Sequence, residues 1–199
     1  CFGQYVDIVG VYKTEFELIR RYREMALHPE CDSAIEDIVN ETLVSDSNDS
    51  PVEINLDHLN ASDGIKQKVR DEFKFILELL DFQKKAHEIY RNWYIDGRLY
   101  YNKVIDLKKP HEGIQELRYI DAIKMRYVRK QKKNEKDRLS NINQNNQGIK
   151  FTKDSITYCT SGLVDRNKGS TLSYLHKAIK SLNQLRMIED SLVIYRLSR

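Results

Sequence analysis

The segment from Ser170 to Arg199 constrains this chain more than any other. Leu172, Leu175, Ile179, Leu182, Leu185, Ile188, Leu192 and Tyr195 follow one another at steps of three or four, the spacing that lines up side chains along an α-helix. A helix from Leu172 to the last residue spans roughly 42 Å at about 1.5 Å per residue, well beyond the usual globular helix. The residues before it cannot bury a stripe of that length alone. Its far end is therefore expected to meet another chain or a further segment. The seven apolar positions from Leu172 to Leu192 are expected on one face, with Lys177, Lys180, Arg186 and Asp190 largely outside it.

Upstream, the pattern predicts mixed α and β structure. Residues 1–12 are a β-prone lead-in. Thr14 is a good N-cap for a helix to Leu27, with Phe16, Ile19, Arg23 and Ala26 on one face. His28-Pro29 ends that helix and opens a second, running to about Leu43, with Cys31, Ala34, Ile35, Ile38 and Thr42 as its stripe. A polar loop at 45–51 leads to a strand at Val52–Leu56, where apolar and polar residues alternate. Ser62 caps a third helix through Ile65, Val69, Phe73, Ile76 and Leu80. The pattern resets near Asp81 and runs to Gly97, a left-handed C-cap. Strands are predicted at Leu99–Asp106, Glu116–Ile120, Lys124–Gln131 and Ser155–Ser161, with turns at 109–113, at Asp121-Ala122 and at 165–169. Residues 132–148 read as a mobile loop. The fold class is α+β, a domain over 1–170 leading into a long helix over 171–199.

The chemistry-bearing residues form no constellation. The glycines are scattered, and none precedes the Lys-Ser/Thr pair of a phosphate loop. His28, His58, His87, His111 and His176 lie far apart, none with a second ligand one helical turn away. Glu36/Asp37, Asp71/Glu72 and Glu189/Asp190 are sequence neighbours, which point about 100° apart on a helix and read as solvated faces. Cys1, Cys31 and Cys159 suit incidental or buried thiols better than a disulfide framework. No catalytic, metal-binding or cofactor-binding residues are assigned, and no cofactor, small-molecule substrate or enzymatic activity is expected.

Charge leaves two readings open. A net charge of +3 does not by itself imply nucleic acid. The run Lys124–Arg138 concentrates eight basic residues against Glu135 and Asp137; it is the charged tip of a hairpin or a surface for DNA phosphates. Between Arg91 and Tyr101, arginines interleave with aromatics, a pattern read as core packing with snorkelling arginines. With 32% charged residues and no long apolar run, the chain does not read as membrane-spanning.

Four strings go further than pattern. LIRRYREMALHPECDSAIEDIVNETLV (18–44), ELLDFQKKAHEIYRNWYIDGRLYYNKVID (78–106), GIQELRYID (113–121) and LSYLHKAIKSLNQLRMIEDSLVIYRLSR (172–199) together resemble the portal vertex, or head–tail connector, proteins of T-even-type tailed bacteriophages. The resemblance covers nearly the whole chain in the same order and is weakest at 132–150. It implies a subunit of a twelve-fold ring at one capsid vertex, assembled in the infected bacterium and carried in the virion. It further implies partners in the major capsid and scaffold proteins, the terminase packaging motor, the neck and tail, and the double-stranded DNA passing through. On the family's layout, 1–170 is a wing and 171–199 a first stem helix. Clip, second stem helix and crown fall outside it, and both ends of the chain are expected to be cuts in a longer protein.

Overall fold

The computed structural model describes residues 14–43, 51–125, 151–165 and 170–198. The expected lead-in at 1–12, the loop at 132–148, nearly all of the polar 45–51 loop and most of the basic run lie outside these residues.

α1 (Glu15–Ala26) begins where Thr14 accepts a 3.2 Å hydrogen bond from the Glu17 amide. Glu15 and Glu17 favour the positive end of the helix dipole. Its inner surface differs from the expected one. Leu18, Tyr22 and Met25 face one side and Ile19 another, while Phe16 is exposed. The helix is sandwiched, so one apolar stripe does not describe it. α2 (Pro29–Thr42) starts with proline at its first position and buries Ile35 and Val39, not Ala34 or Thr42.

The predicted strand at Val52–Leu56 is not one. The alternation is real, with Leu56 buried and Glu53 and Asn55 exposed, but the segment has no ladder partner among the described residues. Alternation reports a half-buried extended chain and cannot report pairing. α3 (Asp63–Leu79) follows Ser62, and Asp81 takes the left-handed conformation that separates α3 from α4 (Phe82–Asp96). Gly97, at φ 71°, caps α4 through an N–H bond of 2.8 Å to the Trp93 carbonyl.

Immediately after this cap the chain enters the sheet. β1 (Arg98–Ile105) lies between β2 (Ile114–Ile120) and β3 (Ile156–Thr160), antiparallel to both. Tyr100 opposes Ile120 on one side and Tyr158 on the other, its ring stacked on Tyr158 at 4.8 Å. The strand expected from Lys124 starts differently, because Ala122–Lys124 form a 3-10 turn initiated by the Asp121 carboxylate on the Ile123 amide. Beyond Met125 that prediction lies outside the described residues.

Two apolar clusters meet on α1. The larger joins Leu18, Tyr22 and Met25 to Ile35 and Val39 of α2, Ile95 of α4, and Leu175, Ile179 and Leu182 from the last part of the chain. The smaller packs Ile19 against Tyr100 and Ala122, which fixes α1 on the sheet. Burying each such side chain contributes roughly 1.5–3 kcal/mol. No helix among the described residues is long and apolar enough to cross a membrane.

The terminal helix is shorter than its sequence stripe. Leu172 pairs with Leu163 through the backbone and Thr171 bridges to Val164, so the chain is still extended there. Tyr174–Ala178 form a 3-10 turn, and α5 proper is Ile179–Leu197. At about 1.5 Å per residue it is about 28 Å long.

Candidate assembly interface and its socket

The charged side chains among the helices are joined in clamps. Arg23 of α1 donates from Nε and Nη2 to the two oxygens of Asp96, at 2.9 and 2.7 Å, and from Nη2 to Asp121 at 2.6 Å. Hydrogen bonding to Asp96 raises the Arg23 pKa against the opposing effect of burial. The same guanidinium holds the Asp121 carboxyl below its ordinary range. Arg91 of α4 reaches Asp32 and Glu36 of α2, both at 2.6 Å, and His87 adds a 2.9 Å contact to Glu36. Glu36 is thus part of an inter-helix bridge and not a freely solvated face. A depression of about 370 Å³ opens between these clamps, lined by Arg23, Leu27, Arg91, Asn92, Tyr119 and Asp121 among others. Its carboxylates are already occupied by arginine, an arrangement suited to holding helices at fixed angles. His176 meets the buried Tyr22 hydroxyl at 2.8 Å and His28 lies 3.8 Å from Glu30. Among the described residues, no group of three or more His, Cys, Asp or Glu is placed to hold a metal ion. Cys31 and Cys159 are free thiols; Cys31 is half-buried, which raises its pKa, and Cys159 is exposed.

A second set of contacts forms a socket from which α5 emerges. Ser161 donates its amide to the Gly97 carbonyl at 2.8 Å and its hydroxyl to the Leu172 carbonyl at 2.5 Å. The fully buried Ser173 donates to the Tyr94 carbonyl at 2.9 Å and accepts from the Leu175 amide at 3.0 Å, capping the 3-10 turn. Tyr174 stacks on Tyr94 with ring centroids 5.3 Å apart and donates to the Ser161 carbonyl. Gly97 is required here twice over. Its φ is positive, and an added Cβ would sit 2.6 Å from the Leu172 carbonyl oxygen. Arg21 reaches Asn183 and so ties α1 to the second turn of α5. Within the aromatic and arginine-rich stretch 91–101, neither Arg91 nor Arg98 snorkels. Arg91 is clamped, and Arg98 is buried.

Beyond the socket, α5 leaves its own domain. Ile179 and Leu182 are buried and Leu185 is partly covered, but Met187, Ile188, Leu192, Val193, Ile194 and Leu197 are 55–82% exposed. Geometry accounts for this and corrects the single-face expectation. Each residue advances about 100°, so a step of three falls about 60° short of a full turn. Three such steps, from Ile179 through Leu182 and Leu185 to Ile188, carry the stripe to the opposite side of the helix. Ile188 and Leu192 therefore share one side, and Met187, Ile194 and Leu197 the other, the latter with Asp190 among them. Glu189 and Arg196 mark one edge between the two sides. A run of exposed apolar residues this long marks a surface to be covered from outside the described residues, by a further segment of the protein or by another chain.

A clamped α+β domain that projects a helix with two uncovered apolar sides is part of a larger structure and not a self-contained globular domain. The sequence comparisons name the family. The model of the bacteriophage T4-like portal protein (Gp20) family matches residues 15–199, and the chain belongs to that family. It is 34% identical over 208 residues to the portal protein of Vibrio phage KVP40, an alignment covering 92% of this chain and 40% of that protein. The portal protein of Salmonella phage ViI is 28% identical over 225 residues, covering 98% of this chain and 40% of its own length. The chain thus spans about 40% of the length of these curated relatives.

Proposed function

We propose that this chain is part of a subunit of the portal ring at a phage capsid vertex, with residues 1–170 forming a wing and 171–199 opening the first stem helix. The observation that carries this reading is the two-sided apolar end of α5. A helix needing cover on opposite sides suits an interior position in a palisade, with one neighbour's helix on each flank. Identical subunits supply such cover by a head-to-tail contact that repeats until the ring closes. A twelve-subunit ring of this kind surrounds the DNA channel, receives the packaging motor on one side, and later holds the neck and tail. It sits among the capsid and scaffold proteins in the virion after assembly in the infected cell.

The function is geometric. The ring remains rigid while a polyanion slides through it, so the channel wall works best with few strong phosphate contacts. The arginine clamps serve the rigidity, because each fixes two or three elements with charge-assisted hydrogen bonds. Electron microscopy of the full-length protein is the test: rings with a central hole are expected. Monomers that bind short DNA with a steep salt dependence would instead favour a nucleic-acid-binding protein working through the basic run 124–138.

A further inference from the structure

Arg98, the first residue of β1, is 2% exposed. Its Nη1 lies 3.2 Å from Oε2 of Glu15, the first residue of α1. Its Nη2 donates to the carbonyl of Thr171, in the extended segment that leads to α5, and its Nε has no hydrogen-bond partner. One side chain thus joins three segments that are distant in sequence. The Glu15 carboxylate is partly exposed, so the buried charge is compensated from one side only.

Filling this space does not require a guanidinium. Methionine has similar length and avoids desolvating a charge. The Glu15 carboxylate it leaves without a cation is partly exposed, which reduces the cost of breaking this pair from one side. What methionine lacks is direction. A guanidinium is planar and presents its donors at fixed angles, so it holds an acceptor at a set distance and orientation. The acceptor here is the backbone just before the turn into α5. Gly97, the preceding residue, holds the next carbonyl of that same backbone at close approach.

We infer that Arg98 is a positioning residue: anchored on Glu15 and donating to Thr171, it sets the direction in which α5 leaves the domain, and with it the angle between neighbouring subunits. The inference rests on the portal reading given above. A ring of repeated head-to-tail contacts closes only when the rotation between neighbours divides a full turn. A small error in helix direction therefore changes closure without unfolding any subunit.

The test uses full-length portal protein carrying Arg98→Met, Arg98→Lys or Glu15→Gln, with thermal unfolding and electron micrographs of each. Arg98→Met is expected to fold with a melting temperature lowered only modestly, yet give open arcs or rings of mixed subunit number. Arg98→Lys, which keeps the charge and loses the fork, is expected not to restore uniform rings. Uniform rings from Arg98→Met overturn the inference. If Arg98→Met fails to fold, Glu15→Gln decides: mixed or open rings from a normally melting variant support the inference, and uniform rings overturn it. If the unaltered protein forms no ring, the portal reading fails and the inference falls with it, a result distinct from altered rings in the variants alone.

Discussion

Arg23 and Asp96 meet in a two-pronged hydrogen bond that fastens the last turn of α1 to the last residue of α4. Asp96 is 2% exposed, whereas Arg23 is about one-third exposed. The two groups are therefore unequal: Asp96 depends on Arg23 for compensation, while Arg23 retains contact with water. The same guanidinium holds Asp121, which starts the 3-10 turn after β2. Helices and sheet are thus joined through one side chain.

Removing that side chain should be costly. Arg23→Met keeps much of the packing but leaves Asp96 buried without its cation. Breaking a buried pair from one side costs about 3–5 kcal/mol, and the exposed part of Arg23 reduces this to about 2–4 kcal/mol. Urea unfolding of the variant against the unaltered chain measures the difference. A loss below about 1 kcal/mol would show that Asp96 finds compensation elsewhere.

The clamp also makes stability depend on acidity. Arg23 holds the folded-state Asp121 carboxyl below its ordinary range, with burial opposing. The folded state therefore binds fewer protons than the unfolded state as pH drops through that range. The stabilisation is complete above the unfolded value and drains away as pH falls through the lower, folded one. Asp121→Asn should lower stability at neutral pH and flatten this acid-side decline. Curves for the two proteins that stay parallel through the carboxylate range, with the same offset below it as above it, would refute the assignment.

Gly97 offers a backbone test of the socket. Gly97→Ala adds a Cβ at positive φ and drives it toward the Leu172 carbonyl, 2.6 Å away. Strain in the left-handed region alone costs about 1–2 kcal/mol, and the displaced backbone adds to it. A loss of at least about 2 kcal/mol is expected on thermal or urea unfolding. Within error of the unaltered chain, the result would mean that the 172–173 segment moves freely.

Much of the architecture was legible from local signals. Thr14, His28-Pro29, Asp81 and Gly97 mark helix boundaries because capping and backbone geometry are decided within a few residues. Strands β1 and β3 were visible in their β-prone runs. Pairing was not: Val52–Leu56 alternates as well as any strand but has no ladder partner among the described residues, and a partner is a non-local fact. Inner faces failed where a helix is covered from two sides, as on α1, since a single moment cannot describe it. The clamps were invisible for the same reason. Arg23, Asp96 and Asp121 are far apart in sequence, and nothing near any of them marks the others. A buried arginine at 98 has no signature beyond its place beside the Gly97 cap.

The terminal helix yields the sharpest contrast. Leu182 lies on the turn of α5 that packs against Leu18, Tyr22 and Ile35, and is buried. Leu192, three turns further along, is more than half exposed and touches none of that core. In sequence the two belong to one apolar stripe, yet they should answer mutation in opposite ways. Leu182→Ala removes buried methyl groups from a packed cluster, which costs about 2–5 kcal/mol depending on how far the site collapses. That loss should appear in urea unfolding of the chain itself. Leu192→Asp alters a residue that its own domain does not cover, so unfolding of the chain should shift by no more than about 0.5 kcal/mol. On the portal-ring proposal the order reverses in the full-length protein. An aspartate between neighbouring helices is a desolvated, unpaired charge, penalised at every contact around the ring. Leu192→Asp should therefore leave folded subunits that sediment as monomers or small oligomers, while Leu182→Ala rings assemble at temperatures below the lowered melting point. Normal rings from Leu192→Asp would mean that the exposed side of α5 at this residue faces solvent in the assembly, and that the palisade is covered elsewhere.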